Sequence, residues 1–173
     1  MRTGKGTPLS PLAAALRLLA RRPYSVAEMR RALEKRYPQS SEVGTTIARL
    51  REIHYLDDKK FAEHYASSLV RNRAFGRQRI RRELKAKLVD YRHIEPALDQ
   101  AFTETGEREL LEQTLAKKLR TLRLPLTPTK LASLCQSLMR RGFRAEDIFK
   151  AVRAHPELRT VAEDASPPEE ENF

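Results

Sequence analysis

The chain has 173 residues, of which 33% are charged, 40% hydrophobic and only 6% aromatic, a mix that allows small cores under much charged surface. Its formal net charge of +11 points to a polyanionic partner, with nucleic acid or an assembly carrying it first in line. One cysteine, Cys135, excludes a disulfide framework and a cysteine zinc site; the lack of an 18-residue apolar run or a charged-then-apolar leader reads as a cytoplasmic protein with no membrane span and no secretory signal.

Residues 1–9, MRTGKGTPL, have the glycine, proline and low apolar content of an unfolded tail. Ser10-Pro11 reads as an N-cap with proline at the first helical position, opening a helix with Leu12, Leu16 and Leu19 on one side. Ser25 to Glu28 has the form of a capping box, in which the serine oxygen accepts from residue 28 and Glu28 reaches back. The helix it starts carries Met29 and Leu33, and a third, from Ser40 or Ser41 to His54, buries Val43, Ile47 and Leu50. Asp57 or Asp58 then caps a helix whose Phe61, Tyr65 and Leu69 form a stripe, with Ala62 and Ala66 admitting a close neighbour. Phe75-Gly76 breaks it, and the helix of Ile80, Leu84 and Leu88 follows. Asp90 caps the next, with Ile94, Leu98 and Phe102 inward and Pro96 expected to shorten or bend it.

Thr105-Gly106 opens a helix marked by Leu111, Leu115, Leu119 and Leu122, and Thr127-Pro128 repeats the cap-plus-proline start. The helix of Leu131 to Arg141 ends on Gly142 as a left-handed residue, and Ile148 with Val152 marks a last helix lacking an ideal N-cap. Cys135 sits among Leu131, Leu134 and Leu138, as a structural thiol would. From Thr160 the sequence is acidic and nearly without apolar residues, the composition of a disordered tail. The expected fold is all-α: about nine helices arranged as three tandem three-helix units, 10–56, 57–104 and 105–156, in an elongated, curved array, with an acidic tail over 157–173.

One basic amphipathic unit recurs as MRRALEKRY, IRRELKAKL and LCQSLMRRG, whose leading residues Met29, Ile80 and Leu134 are 51 and 54 positions apart. Apolar residues at i and i+4 set a buried stripe in each copy, which turns Arg31 and Lys35, then Arg79, Arg82 and Lys85, then Gln136 and Arg140 outward. Between Arg71 and Lys87 there are eight bases (Arg71, Arg73, Arg77, Arg79, Arg81, Arg82, Lys85, Lys87) and one acid, Glu83. Lys and Arg also serve merely to solubilise a helix face, but acids at i±4 are too few here to relieve the repulsion, whereas an external anion would. The arginine bias favours phosphate or carboxylate, which its planar fork can grip with two bonds. Arg31, Lys35, Arg77, Arg79, Arg82, Lys85, Arg140 and Arg141 are therefore the candidate binding residues for a nucleic acid or an assembly carrying it. Phe61 and Tyr65 fit core packing better than base stacking, while Tyr24, Phe75 and Phe143 lie beside turns and are expected to be partly exposed.

Enzyme chemistry finds no support, because glycine-rich phosphate loops, nucleophile elbows and Cys/His patterns are missing. His54, Asp57, Asp58, Glu63 and His64 match no compact metal motif, so neither metal nor cofactor is expected.

The stretch HYLDDKKFAEHYASSLVRNRAFGRQRIRRELKAKL, His54 to Leu88, resembles the RecX family pattern GYLDD-x-x-FA followed by a basic turn and an IR-x-EL helix. YSVAEMRRAL (Tyr24 to Leu33) is similar to the family's preceding S-x-x-EL-R-x-KL element, and LMRRGFRAEDI (Leu138 to Ile148) to its closing RGF/RGY element. The chain departs from that pattern in having Ile53-His54 before the Tyr-Leu-Asp-Asp and Lys87-Leu88 in place of Lys-Gly; a left-handed Leu88 would cost about 1 kcal/mol for want of glycine. The resemblance implies a regulator of the RecA recombinase: a monomeric, non-enzymatic array of three-helix units that lies in the groove of the RecA–DNA filament. There it would inhibit or destabilise the filament, limiting strand exchange, ATP hydrolysis and the SOS response. Direct binding of single- or double-stranded DNA by helix-turn-helix-like units, without RecA, is the alternative.

Overall fold

The structure is a computed structural model and describes residues 9–124, 126–156 and 158. Residues 1–8 of the expected N-terminal tail lie outside the described residues, as does the acidic stretch from residue 159 on. Among the described residues all regular structure is helical: α1 (Pro11–Leu19), α2 (Val26–Arg36), α3 (Glu42–Glu52), α4 (Asp58–Arg73), α5 (Arg77–Ala86), α6 (Tyr91–Ala101), α7 (Glu107–Leu119), α8 (Pro128–Arg140) and α9 (Ala145–Ala154).

The helix starts follow local chemistry. Ser10 accepts from the Ala13 amide at 3.3 Å, Ser25 from Glu28 at 3.1 Å and Thr127 from Lys130 at 3.4 Å, each removing one orphan donor of a first turn. Arg144 at the start of α9 makes no side-chain cap bond. The Asp57-Asp58 pair is divided between two helices. Asp57 caps its own α4 by accepting from the Lys60 amide at 3.0 Å, while Asp58 accepts from the Val26 amide at 2.8 Å and so satisfies the first turn of α2. The capping box is only half made, because the Glu28 carboxylate bonds Arg22 and Lys87 rather than turning back to Ser25. Helix α6 passes through Pro96 without ending; the carbonyl that loses its partner belongs to Arg92, an exposed residue that water can reach.

The chain divides into two compact units, one holding the described residues through Ala66 together with Glu83–Ala97, the other Ser67–Arg82 together with those from Leu98 onward. In the first unit α1, α2 and α3 pack around Ala14, Ala15, Met29, Leu33, Val43, Ile47, Leu50 and Leu56. In the second, α9 packs against α7 and α8, and Leu111, Leu115, Leu134, Leu138, Phe143, Ile148, Val152 and Leu158 are buried.

Four expected faces are corrected. Helix α1 buries Pro11, Ala14 and Ala15 and leaves Leu12 and Leu16 exposed; apolar almost all round, it offers no period from which to choose, and its alanines allow the closest approach. Helix α4 buries Phe61, Ala62, Ala66 and Val70, with Tyr65 and Leu69 only half-buried. Leu88 is 41% exposed because the helix has already ended, and Phe143 is buried at 1% exposure although it follows a turn.

Candidate functional site

The basic helix α5 is held at its start by long-range partners. Its orphan amides find carbonyls at the end of α8: Gly76 donates to Arg141 O at 2.9 Å and Gln78 to Gly142 O at 3.2 Å. The Arg77 amide donates to Glu107 Oε1 at 2.7 Å. This backbone contact needs two glycines, since a Cβ on Gly76 would stand 2.5 Å from Gly142 O and one on Gly142 2.3 Å from the Arg79 nitrogen. Gly142 has φ +93°, the left-handed C′ conformation expected of it. At the other end, the buried Ser25 donates its hydroxyl to Lys87 O at 2.5 Å.

Of the eight bases from Arg71 to Lys87, Arg77 and Lys87 meet acids that are distant in sequence. Arg77 bonds Asp99 at 2.7 Å, lies 3.8 Å from Glu107 and covers the Phe102 ring at 5.2 Å. Lys87 pairs with Glu28 at 3.2 Å and stands 5.9 Å from the Tyr65 ring. Half-buried Arg79 has its guanidinium 5.4 Å from the Phe75 ring, and Arg141 donates to Arg73 O at 2.6 Å. Repulsion along this segment is thus relieved partly from within the fold. Burial would raise the Glu28 carboxyl, but bonds from Arg22 and Lys87 outweigh it and hold the group below its usual 4.5. Glu107 is the reverse case, since its burial exceeds the help from Arg77 and pushes it above that value. Burial likewise raises Cys135, as befits a structural thiol.

The candidate binding residues therefore fall into two groups. Arg31 and Lys35 on α2, Arg82 and Lys85 on α5 and Arg140 on α8 have exposed side chains; Arg140 bonds Gln136 within its own helix at 3.2 Å. Arg77, Arg79 and Arg141 are half-buried and engaged in the contacts above. A third group escaped the sequence reading: Arg17 and Arg21 of the α1 end and Arg36 of the α2 end line one concavity of the first unit with Ala14 and Leu18. The i,i+4 spacing of Arg17 and Arg21 was visible in the sequence, but their meeting with Arg36 depends on the packing of α1 on α2. Among the described residues there is no group of three His, Cys, Asp or Glu side chains that could hold a metal ion, and no helix long and apolar enough to cross a membrane.

Small helical units with basic outer faces and apolar cores are the architecture of an all-α protein assembled from three-helix domains. The chain belongs to the RecX family. Residues 12–50 match the family model for the RecX first three-helix domain and residues 57–98 that for the second. The Chlorobaculum tepidum regulatory protein RecX is 35% identical over 150 residues, covering 86% of this chain and 90% of that one. The Cronobacter sakazakii regulatory protein RecX is 35% identical over 147 residues, with 78% and 85% covered. The crystal structure of RecX from Lactobacillus salivarius superposes with a TM-score of 0.66 at 23% identity, covering 83% of this chain and 92% of that chain; this likeness concerns the fold.

Proposed function

We propose that this protein is a negative modulator of the RecA recombinase that binds the RecA–DNA filament in its groove, limits strand exchange, ATP hydrolysis and the SOS response, and performs no catalysis of its own. It acts as a cytoplasmic monomer whose three-helix units, 10–56, 57–104 and 105–156, each offer the outer face of a basic helix to the filament. The observation that supports this reading best is the exposure of Arg31 and Lys35 on α2, Arg82 and Lys85 on α5 and Arg140 on α8 of a RecX-family fold. These side chains are available to an anionic surface without unmaking the fold, and several weak contacts on one chain add through effective concentration, with no deep pocket required.

The test is the double reversal Arg82→Glu with Lys85→Glu. Both side chains are exposed, so the helical circular dichroism and melting midpoint are expected to stay at the parent values. Inhibition of RecA-driven strand exchange is expected to weaken at least tenfold in the protein concentration required. Full inhibition by a folded variant would reject this face.

A further inference from the structure

We propose that the concavity lined by Ala14, Arg17, Leu18, Arg21 and Arg36 is an oxyanion site that takes phosphodiester oxygens of single-stranded nucleic acid. The proposal deepens the filament-binding reading and rests on it for the biological source of the strand, but the chemistry is confined to the first compact unit. The concavity is open to solvent and has a volume of about 160 Å³. At roughly 30 Å³ per water in the liquid, that holds about five water-sized atoms, which suits one phosphate group.

The charge at its wall is unbalanced. Among the described residues Arg17, Arg21 and Arg36 enter no ion pair, and the nearest carboxylate in sequence, Glu34, is turned to Arg30 at 3.9 Å. The Arg36 guanidinium lies 5.8 Å from the Tyr37 ring. Two helices end here, and the negative ends of α1 and α2 favour cations. Each helix end, however, supplies only about half an elementary charge, roughly one in all against three. About two positive charges therefore remain for a ligand. Arginine at all three positions, with no lysine, provides planar forks that can each grip two oxygens. The floor of Ala14 and Leu18 offers the anion no competing donor or acceptor side chain. A phosphodiester strand suits the site better than a lone carboxylate, because it brings repeated charges at short intervals where a carboxylate brings one.

The experiment measures binding of a labelled single-stranded oligonucleotide to the full chain, without RecA, across a salt series. Each neutralised phosphate contributes about 0.7 to the log-log slope for single strands, so the triple variant Arg17→Gln, Arg21→Gln, Arg36→Gln, which removes the two charges left to the strand, is expected to lose about 1.4 from the parent slope. A parallel Arg→Lys triple variant keeps the charge and is expected to keep most of the slope while losing affinity. An unchanged slope in the glutamine variant, or a parent chain that does not bind the strand, overturns the site. Competition by polyglutamate as effective as that by the oligonucleotide also overturns it, in favour of a protein carboxylate. Strand-exchange inhibition on the same proteins separates the two readings: inhibition that survives an unchanged slope sinks the site alone, and a parent that never inhibits sinks the filament reading alone.

Discussion

Leu88 and His54 sit where an L side chain is unwelcome. Their φ angles are +57° and +58°, and each is the C′ residue of a helix ending in the Schellman manner. His54 donates to Arg51 O at 3.0 Å and Tyr55 to Leu50 O at 2.9 Å, closing α3; Leu88 donates to Lys85 O at 2.9 Å and Val89 to Leu84 O at 3.2 Å, closing α5. Gly142 closes α8 with the same pair of bonds. The left-handed region costs a non-glycine residue about 1 kcal/mol, partly offset by the extra freedom glycine has when unfolded. His54→Gly is expected to raise the unfolding free energy by about 0.5–1 kcal/mol in urea denaturation, since its exposed ring packs on little. Leu88→Gly should gain less, because it also gives up a side chain still more than half buried. At Gly142 the sign inverts. Gly142→Ala adds a Cβ 2.3 Å from Arg79 N and 2.4 Å from its Cβ, and is expected to cost about 3 kcal/mol or more. Leu88 was legible as a possible misfit because the family pattern carries glycine there, and the cap bonds show that the backbone keeps the turn even so.

At the scale of the element, what could be read depended on how far away the deciding partner lay. The starts at Ser10, Ser25 and Thr127 are decided within three residues, so cap chemistry found them. The division of Asp57 and Asp58 between α4 and α2, and the supply of Asp99, Glu107 and Glu28 to the basic segment, are settled by residues 22 to 59 positions away in the chain. Periodicity carries no sign of them. It failed on α1 and α4 for a related reason, since alanine faces admit a neighbouring backbone more closely than leucine or tyrosine faces do. The two acids that anchor α5 should titrate apart. Glu107 lies above the usual 4.5 and Glu28 below it, so carboxyl NMR is expected to show Glu107 taking its proton first as pH falls from neutrality. The Glu28 shift is a depressed one. Its contribution is fully present above 4.5 and is lost as pH drops through the lower folded value. Glu28→Gln is therefore expected to cost about 1–2 kcal/mol at pH 7, from weakened bonds to Arg22 and Lys87. That penalty should shrink towards zero below the folded value, where the parent carboxyl is itself neutral. A penalty constant across the acid range would show that shape, and not charge, makes Glu28 matter.

For the whole molecule, the count of helices and their basic faces were open to sequence reasoning, because the three copies share a local pattern. The approach of Gly76 to Gly142, backbone to backbone across 66 positions of chain, was not. The exposed bases are spread over both units, Arg31 and Lys35 in the first and Arg82 and Arg140 in the second. If one filament engages both, the second engagement is intramolecular and the combined affinity exceeds either alone by orders of magnitude. Arg31→Glu with Lys35→Glu, and separately Arg82→Glu with Arg140→Glu, should then each weaken co-sedimentation with RecA on single-stranded DNA by about tenfold or more. Whichever face is lost, the remaining unit binds as an isolated weak module, so the quadruple variant should bind more weakly than either double one. A chain that used a single unit would respond differently. One double variant would then abolish binding while the other matched the parent, and the quadruple variant would add nothing, which would reject the idea of weak contacts made by both units.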